Sequence, residues 1–130
     1  MRHSRKGFSL PEILIVVAII AILAAIGIPH WLRVKINAND AAAQATLKAV
    51  STALENYMAS YSVYPSDPND LITGSPPYLT KDYFTGTHNG FTFSPNITEY
   101  TYSVTATPAT MGSTGTRSYT MTTGGVLTAN

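Results

Sequence analysis

The sequence contains no cysteine, which excludes disulfides and thiolate metal sites and leaves stability to packing and sheet pairing. Charge is scarce as well: Asp, Glu, Lys and Arg make up 12% of 130 residues, and the formal net charge is +1. The basic residues Arg2, Arg5 and Lys6 crowd the start, and the remainder is slightly acidic. No basic face is left to neutralise a row of phosphates, so nucleic acid is not an expected partner. His3, His30 and His88 have no ligand spacing, and no Ser/His/Asp or paired-carboxylate arrangement looks catalytic. The chain is therefore not expected to be an enzyme.

What the sequence does have is a long apolar run. Residues 13–28, ILIVVAIIAILAAIGI, contain only apolar residues and Gly, and with Phe8 and Leu10 the stretch extends upstream. As a helix, about 22 residues span roughly 33 Å, enough for a bilayer core. An ordinary secretory signal would end in a small-residue cleavage site. Ala24, Ala25 and Gly27 are small, but the sequence continues into a helical pattern. The basic cluster precedes the span and only Arg33 and Lys35 follow it closely, which predicts a cytoplasmic N-terminus with the bulk outside. His30 and Trp31 then read as interfacial belt residues.

Beyond the span, NANDAAAQATLKAVSTALENYMASY is Ala-rich and helix-favouring. Leu47, Val50, Leu54, Tyr57, Met58 and Tyr61 recur at three- and four-residue steps, marking one helical face, with Lys48 and Glu55 on the polar side. Gly27 and Pro29 are the expected site of a kink or local melting. The pattern predicts one bent helix over 11–61, roughly 75 Å long. Its first half is apolar all round and its second half amphipathic. Residues 64–90, with Pro65, Pro68, Pro76, Pro77, Gly74, Gly86 and Gly90, carry loop and turn chemistry. Period-two alternation follows at Phe91 and Phe93, at Tyr100, Tyr102, Val104 and Ala106, and at Arg117, Tyr119 and Met121. Gly124-Gly125 reads as a hairpin turn into a short last strand. The expected fold is α+β: a long N-terminal helix packed on a small antiparallel sheet of three to four strands, a ladle.

Glu12 interrupts the apolar segment near its start. A carboxylate at mid-membrane costs roughly 2.5–3.5 kcal/mol on insertion scales, and less near an end. One reading places Glu12 at headgroup level, paired with Lys6 or with the positive end of the helix dipole. A signal-anchored, monomeric membrane binding module would satisfy that reading.

The segment RKGFSLPEILIVVAIIAILAAIGIP resembles the type IV prepilin family, which includes type IVa pilins and type II secretion pseudopilins. The similarity covers residues 1–34: a short basic leader ending in Gly7, an aromatic Phe8, Glu12 five residues after the cut, a long apolar run, and Pro29 near its end. It implies cleavage between Gly7 and Phe8 by prepilin peptidase, N-methylation of the new amino terminus on Phe8, and pairing of Glu12 with the N-terminal amine of a neighbouring subunit. It implies further partners too: copies of the chain and other pilins in a helical filament, and an inner-membrane platform protein with its assembly ATPase. The expected location is the bacterial inner membrane for the prepilin, then a surface pilus or a periplasmic pseudopilus. The divisions implied are a leader over 1–7, a membrane and filament-core half over 8–36, an amphipathic half over 37–63, and a globular region over 64–130. Pro11 before Glu12 departs from many members but suits a first helical turn.

The globule bears on the branch. Many major pilins close their last loop with a disulfide, which this chain cannot form. YPSDPNDLI resembles the Tyr-Pro turn of the major pseudopilin, and GTRSYTMTTGGVLTAN resembles the closing hairpin of pilin-like proteins. A retained Glu12 argues against a filament-tip subunit. No cofactor is expected, with calcium the one left open: Asp67, Asp70 and Asp82 could gather around it, although three acids in a Pro-rich loop read as turn formers. Asn96 heads an N-x-T sequon, a pattern too common to count. Tyr57, Tyr61 and Tyr64 with Trp31 read as core packing at helical spacing rather than an electron path.

Overall fold

The computed structural model describes residues 5–130. Arg2 and His3, at the head of the expected leader, lie outside the described residues. The first element, α1, is a helix of 52 residues, Leu10–Tyr61, and it continues through Gly27 and Pro29. It ends where Ser62 takes a left-handed backbone conformation (φ 61°) and donates its N–H to the Met58 carbonyl at 2.8 Å. A residue in that conformation turns the chain out of the helix and satisfies one of its last carbonyls. The chain divides into two compact units, Met1–Val34 and Lys35–Asn130.

In the second unit, α1 buries Ile36, Asp40, Ala43, Leu47, Val50 and Leu54, a run of three- and four-residue steps that keeps one face inward. Tyr57 and Met58 pack partly against the core, as that face requires. Tyr61 departs from the expectation of a core position: it is 60% exposed, because the helix ends there, and its ring rests on Tyr57 with centroids 4.5 Å apart. A one-turn helix, α2 (Asp70–Thr73), lies in the region expected to be loop and inserts Leu71 fully into the core. Asp67 shapes its approach by accepting the Asn69 N–H at 2.9 Å.

Four strands form an antiparallel meander in the order β1 (Phe91–Ile97), β2 (Tyr102–Pro108), β3 (Tyr119–Thr122) and β4 (Val126–Ala129). The inner face presents Phe91, Phe93, Tyr102, Val104, Ala106, Tyr119 and Met121 to Leu47, Val50 and Leu54 of α1. The outer face is an array of small polar side chains in register: Thr92 opposite Thr107, Ser94 opposite Thr105, Asn96 opposite Ser103 and Thr120 opposite Thr128. Two residues expected in strands fall outside them. Tyr100 sits in the β1–β2 turn, which Thr98 closes by donating its N–H to the Thr101 carbonyl at 2.8 Å, and Arg117 sits in the β2–β3 loop. The Gly124-Gly125 turn has positive φ at both residues (84° and 78°), a conformation that costs side chains with a Cβ.

With no cysteine, the β2–β3 loop is held by hydrogen bonds to α1. The buried Asp40 carboxylate accepts the Thr116 N–H at 3.1 Å and the Thr116 hydroxyl at 2.7 Å, and Asn39 donates to the Thr114 carbonyl at 3.0 Å. Gly115 permits the approach, since a methyl there would overlap the Phe91 ring and lie 3.0 Å from Asp40 Oδ1. Farther along α1, Glu55 is half-buried rather than on a purely solvent face. Its carboxylate accepts the Tyr64 hydroxyl at 3.1 Å and the Gly124 N–H at 3.2 Å, while Ser51 and Tyr102 share a hydroxyl hydrogen bond of 2.7 Å. Burial, and then the bond to Glu55, push the Tyr64 hydroxyl up to about 12.

Candidate processing and assembly segment

The residues singled out in the sequence sit at the head of α1. Gly7 and Phe8 precede the helix in an exposed, non-helical stretch, and Phe8 is 84% exposed. Nothing lies within 4 Å of where a Cβ on Gly7 would be. The fold therefore makes no demand for glycine at this position, and a requirement for it would come from a molecule that grips the extended backbone.

Ser9 is the cap that sequence reading overlooked. Its carbonyl accepts the first helical hydrogen bond, from the Ile13 N–H at 3.2 Å, while Glu12 Oε2 accepts the Ser9 N–H at 3.4 Å. This is the carboxylate arm of a capping box, and the signal was present as Ser-x-x-Glu before an apolar run. Pro11 fits the first turn, where a helix N–H has no intrahelical partner to lose. Glu12 is thus exposed, in the first turn of α1, and turned back on its own helix end, where the helix dipole favours an anion. Lys6 was the side-chain partner considered for it; the carboxylate meets the Ser9 amide. Cleavage between Gly7 and Phe8 would place an amine one residue from that same amide.

Downstream, the helix presents apolar side chains on every side. Ile13, Leu14, Ile15, Val16, Val17, Ile19, Ile20, Ile22 and Leu23 are all exposed, and so are Ile26, Ile28 and Leu32. By length and composition this helix qualifies to cross a membrane, and none of its most apolar window is buried within the chain. Trp31 is 62% exposed at the end of the run. A Cβ on Gly27 would also meet nothing within 4 Å, so this helix-weakening glycine has no packing reason in the subunit.

The remaining candidates stand apart from this segment. Among the described residues no group of three or more His, Asp or Glu side chains gathers in a way that could hold a metal ion. Asp67 and Asp82 each accept a backbone N–H two residues ahead, from Asn69 and Phe84, as turn-forming carboxylates do. The Thr85 hydroxyl and the Phe84 N–H hold Asp82 below the usual carboxylate range. His88 contacts the Tyr83 ring, with centroids 5.6 Å apart, and lies outside the assembly segment.

Residues 2–28 match the family model of the prokaryotic N-terminal methylation motif. The chain is 38% identical over 76 residues to the type IV major pilin protein PilA of Myxococcus xanthus, a match covering 55% of this chain and 34% of that protein. It is 44% identical over 73 residues to the type IV wide pilus major component PilA4 of Thermus thermophilus, covering 56% of this chain and 55% of that one. It is also 36% identical over 70 residues to the type II secretion system core protein G of Pseudomonas aeruginosa, covering 54% and 49%. The matches thus span between a third and just over half of these relatives' lengths. Gly7, Phe8, the cap and the first part of the exposed apolar helix thus lie in the stretch that matches the prokaryotic N-terminal methylation motif, and over about half its length the chain is similar to type IV major pilins and to a type II secretion system core protein G.

Proposed function

We propose that the protein is a structural subunit of a type IV pilus or pilus-like filament, polymerised through its N-terminal helix. The observation that carries this reading is the pairing of a processing motif over 2–28 with a helix whose apolar surface the subunit leaves wholly uncovered. Such a surface needs lipid or protein around it. Lipid covers it before assembly, with the N-terminus in the cytoplasm, and the helices of other copies cover it afterwards. Prepilin peptidase cuts between Gly7 and Phe8 and methylates the amine on Phe8, and a platform protein with its ATPase extracts the mature chain. Glu12 then exchanges its own Ser9 amide for the amine of a neighbouring copy. In low dielectric that pair fixes register more than it adds net stability. Gly27 and Pro29 are where the helix loosens in the filament. No catalytic role is assigned to the subunit, and the reading needs no calcium at Asp67, Asp70 or Asp82.

A second reading, a type II secretion pseudopilin, is favoured by the relationship to core protein G of Pseudomonas aeruginosa and Vibrio cholerae. Both readings share one test. Intact-mass analysis of protein from its native membrane should give a chain that starts at a methylated Phe8, and Glu12→Ala should leave the cut intact while sharply reducing incorporation into filaments. A mature chain still starting at Met1, or normal filament yield with Glu12→Ala, would refute the assembly mechanism.

A further inference from the structure

Two patches of unlike chemistry lie on the second unit. One is a groove of about 520 Å³ between α1 and the sheet edge, lined by Gln44, Ala45, Lys48, Thr52, Met121 and Leu127. Leu127 pairs in register with the buried Met121, so its side chain faces inward; yet it is 39% exposed, because α1 does not reach over the edge strand. The charged residue of this groove is Lys48.

The other patch is a pocket of about 470 Å³ at the exit of α1, walled by Tyr57, Val63, Tyr64, Ser66, Thr98 and Glu99. The Tyr64 N–H donates to the Glu99 carbonyl at 3.0 Å, which ties the β1–β2 turn to the helix end. Tyr61 and Tyr100 stand exposed around it. The charged residue that lines it is Glu99, which also accepts a hydrogen bond from Tyr100.

We propose that these patches meet in one contact between copies of this chain, with the exposed Lys48 side chain at the rim of one globule's groove seated in the Tyr57–Tyr64–Glu99 pocket of the next. The occupant is fixed by complementarity. The pocket offers a carboxylate and aromatic faces, the environment that takes an ammonium group, and the groove presents such a group on an aliphatic stem beside part-exposed Leu127. Opposite charge at a rim steers encounter and sets register. Because the two surfaces differ, the contact is heterologous and propagates instead of closing a dimer, as an open helical assembly needs. They lie at different heights along α1, so each copy is displaced along the helix relative to the last.

The contact rests on the filament reading, and cysteine chemistry separates the two. The full-length chain has no cysteine, so a link in Lys48→Cys/Glu99→Cys reports only the introduced pair. Oxidation in the native membrane or filament should give a ladder of dimers, trimers and higher species from the double variant and monomers from each single variant. Lys48→Glu should lower filament yield about tenfold, and adding Glu99→Lys should restore it. Dimers from Lys48→Cys alone, an internally linked monomer from the double variant, or no rescue by the second reversal would each overturn the contact. If Phe8 processing and the Glu12→Ala defect persist in that case, the filament reading stands and only this contact falls; absence of filaments from the unaltered chain overturns both.

Discussion

The two halves of α1 share one secondary structure and meet opposite surroundings. Between Leu10 and Val34 the helix is apolar on all sides and buries nothing; from Ile36 to Leu54 it is apolar on one stripe and buries that stripe completely. Helical propensity favours the Ala-rich second half over a first half rich in Ile and Val and carrying Gly27 and Pro29, yet both are helical, so propensity does not explain their different surroundings. The distribution of apolar side chains around the axis does. A stripe is satisfied by one partner, here the sheet of the same chain, whereas an all-round surface needs a surrounding medium.

The sharpest way to break this comparison is to remove the same methyl groups from each half. Leu47→Ala in the core should cost roughly 2–5 kcal/mol of globule stability, read by denaturant unfolding of the full chain in detergent. Ile19→Ala, at a half-exposed site, should leave that unfolding curve unchanged while reducing filament yield. Equal losses of stability would mean that the first half is packed against the chain after all. Smaller in effect is Asp40→Ala, which strands the Thr116 N–H and hydroxyl and should cost about 1–3 kcal/mol. Amide hydrogen exchange should then speed up in the β2–β3 loop and not around Glu12.

The mildest probe is alkaline pH. Folding raises the Tyr64 hydroxyl from an ordinary value of 10.0 to about 12. An acid held protonated by folding adds stability that is complete below pH 10 and is lost as pH rises from 10 through 12. Unfolding followed across that window should show declining stability, and Tyr64→Phe should flatten the decline while removing a bond worth about 1 kcal/mol. An unchanged slope in Tyr64→Phe would move the effect to another tyrosine.

Much of this architecture could be read from residue order. The length of α1, its amphipathic stripe, the Gly-Gly hairpin and a meander of three to four strands follow from periodicity and turn chemistry, which are local signals, and the structure has four strands. Gly7, Phe8 and Glu12 were singled out through the resemblance to prepilins, and the structure places all three exposed at the head of α1. Ser9 carries a local signal too, since Ser-x-x-Glu before an apolar run is a capping-box pattern that gives Glu12 a partner on its own helix end. The clasp from Asn39 and Asp40 to Thr114 and Thr116 could not be read, because its partners lie 75 or 76 residues apart and nothing in either stretch announces the other. Tyr61 and Tyr100 misled because period alone does not reveal where a helix runs out or a turn begins.

That clasp also determines how the globule answers its chemical environment. Where a thiol pair would close the loop, a carboxylate, a hydroxyl and two amides do so here. Reductants and oxidants have no grip on such a closure, and no folding catalyst for thiol exchange is needed to form it. The loop can set as soon as α1 and the sheet meet, and it can reopen and reset without a covalent record.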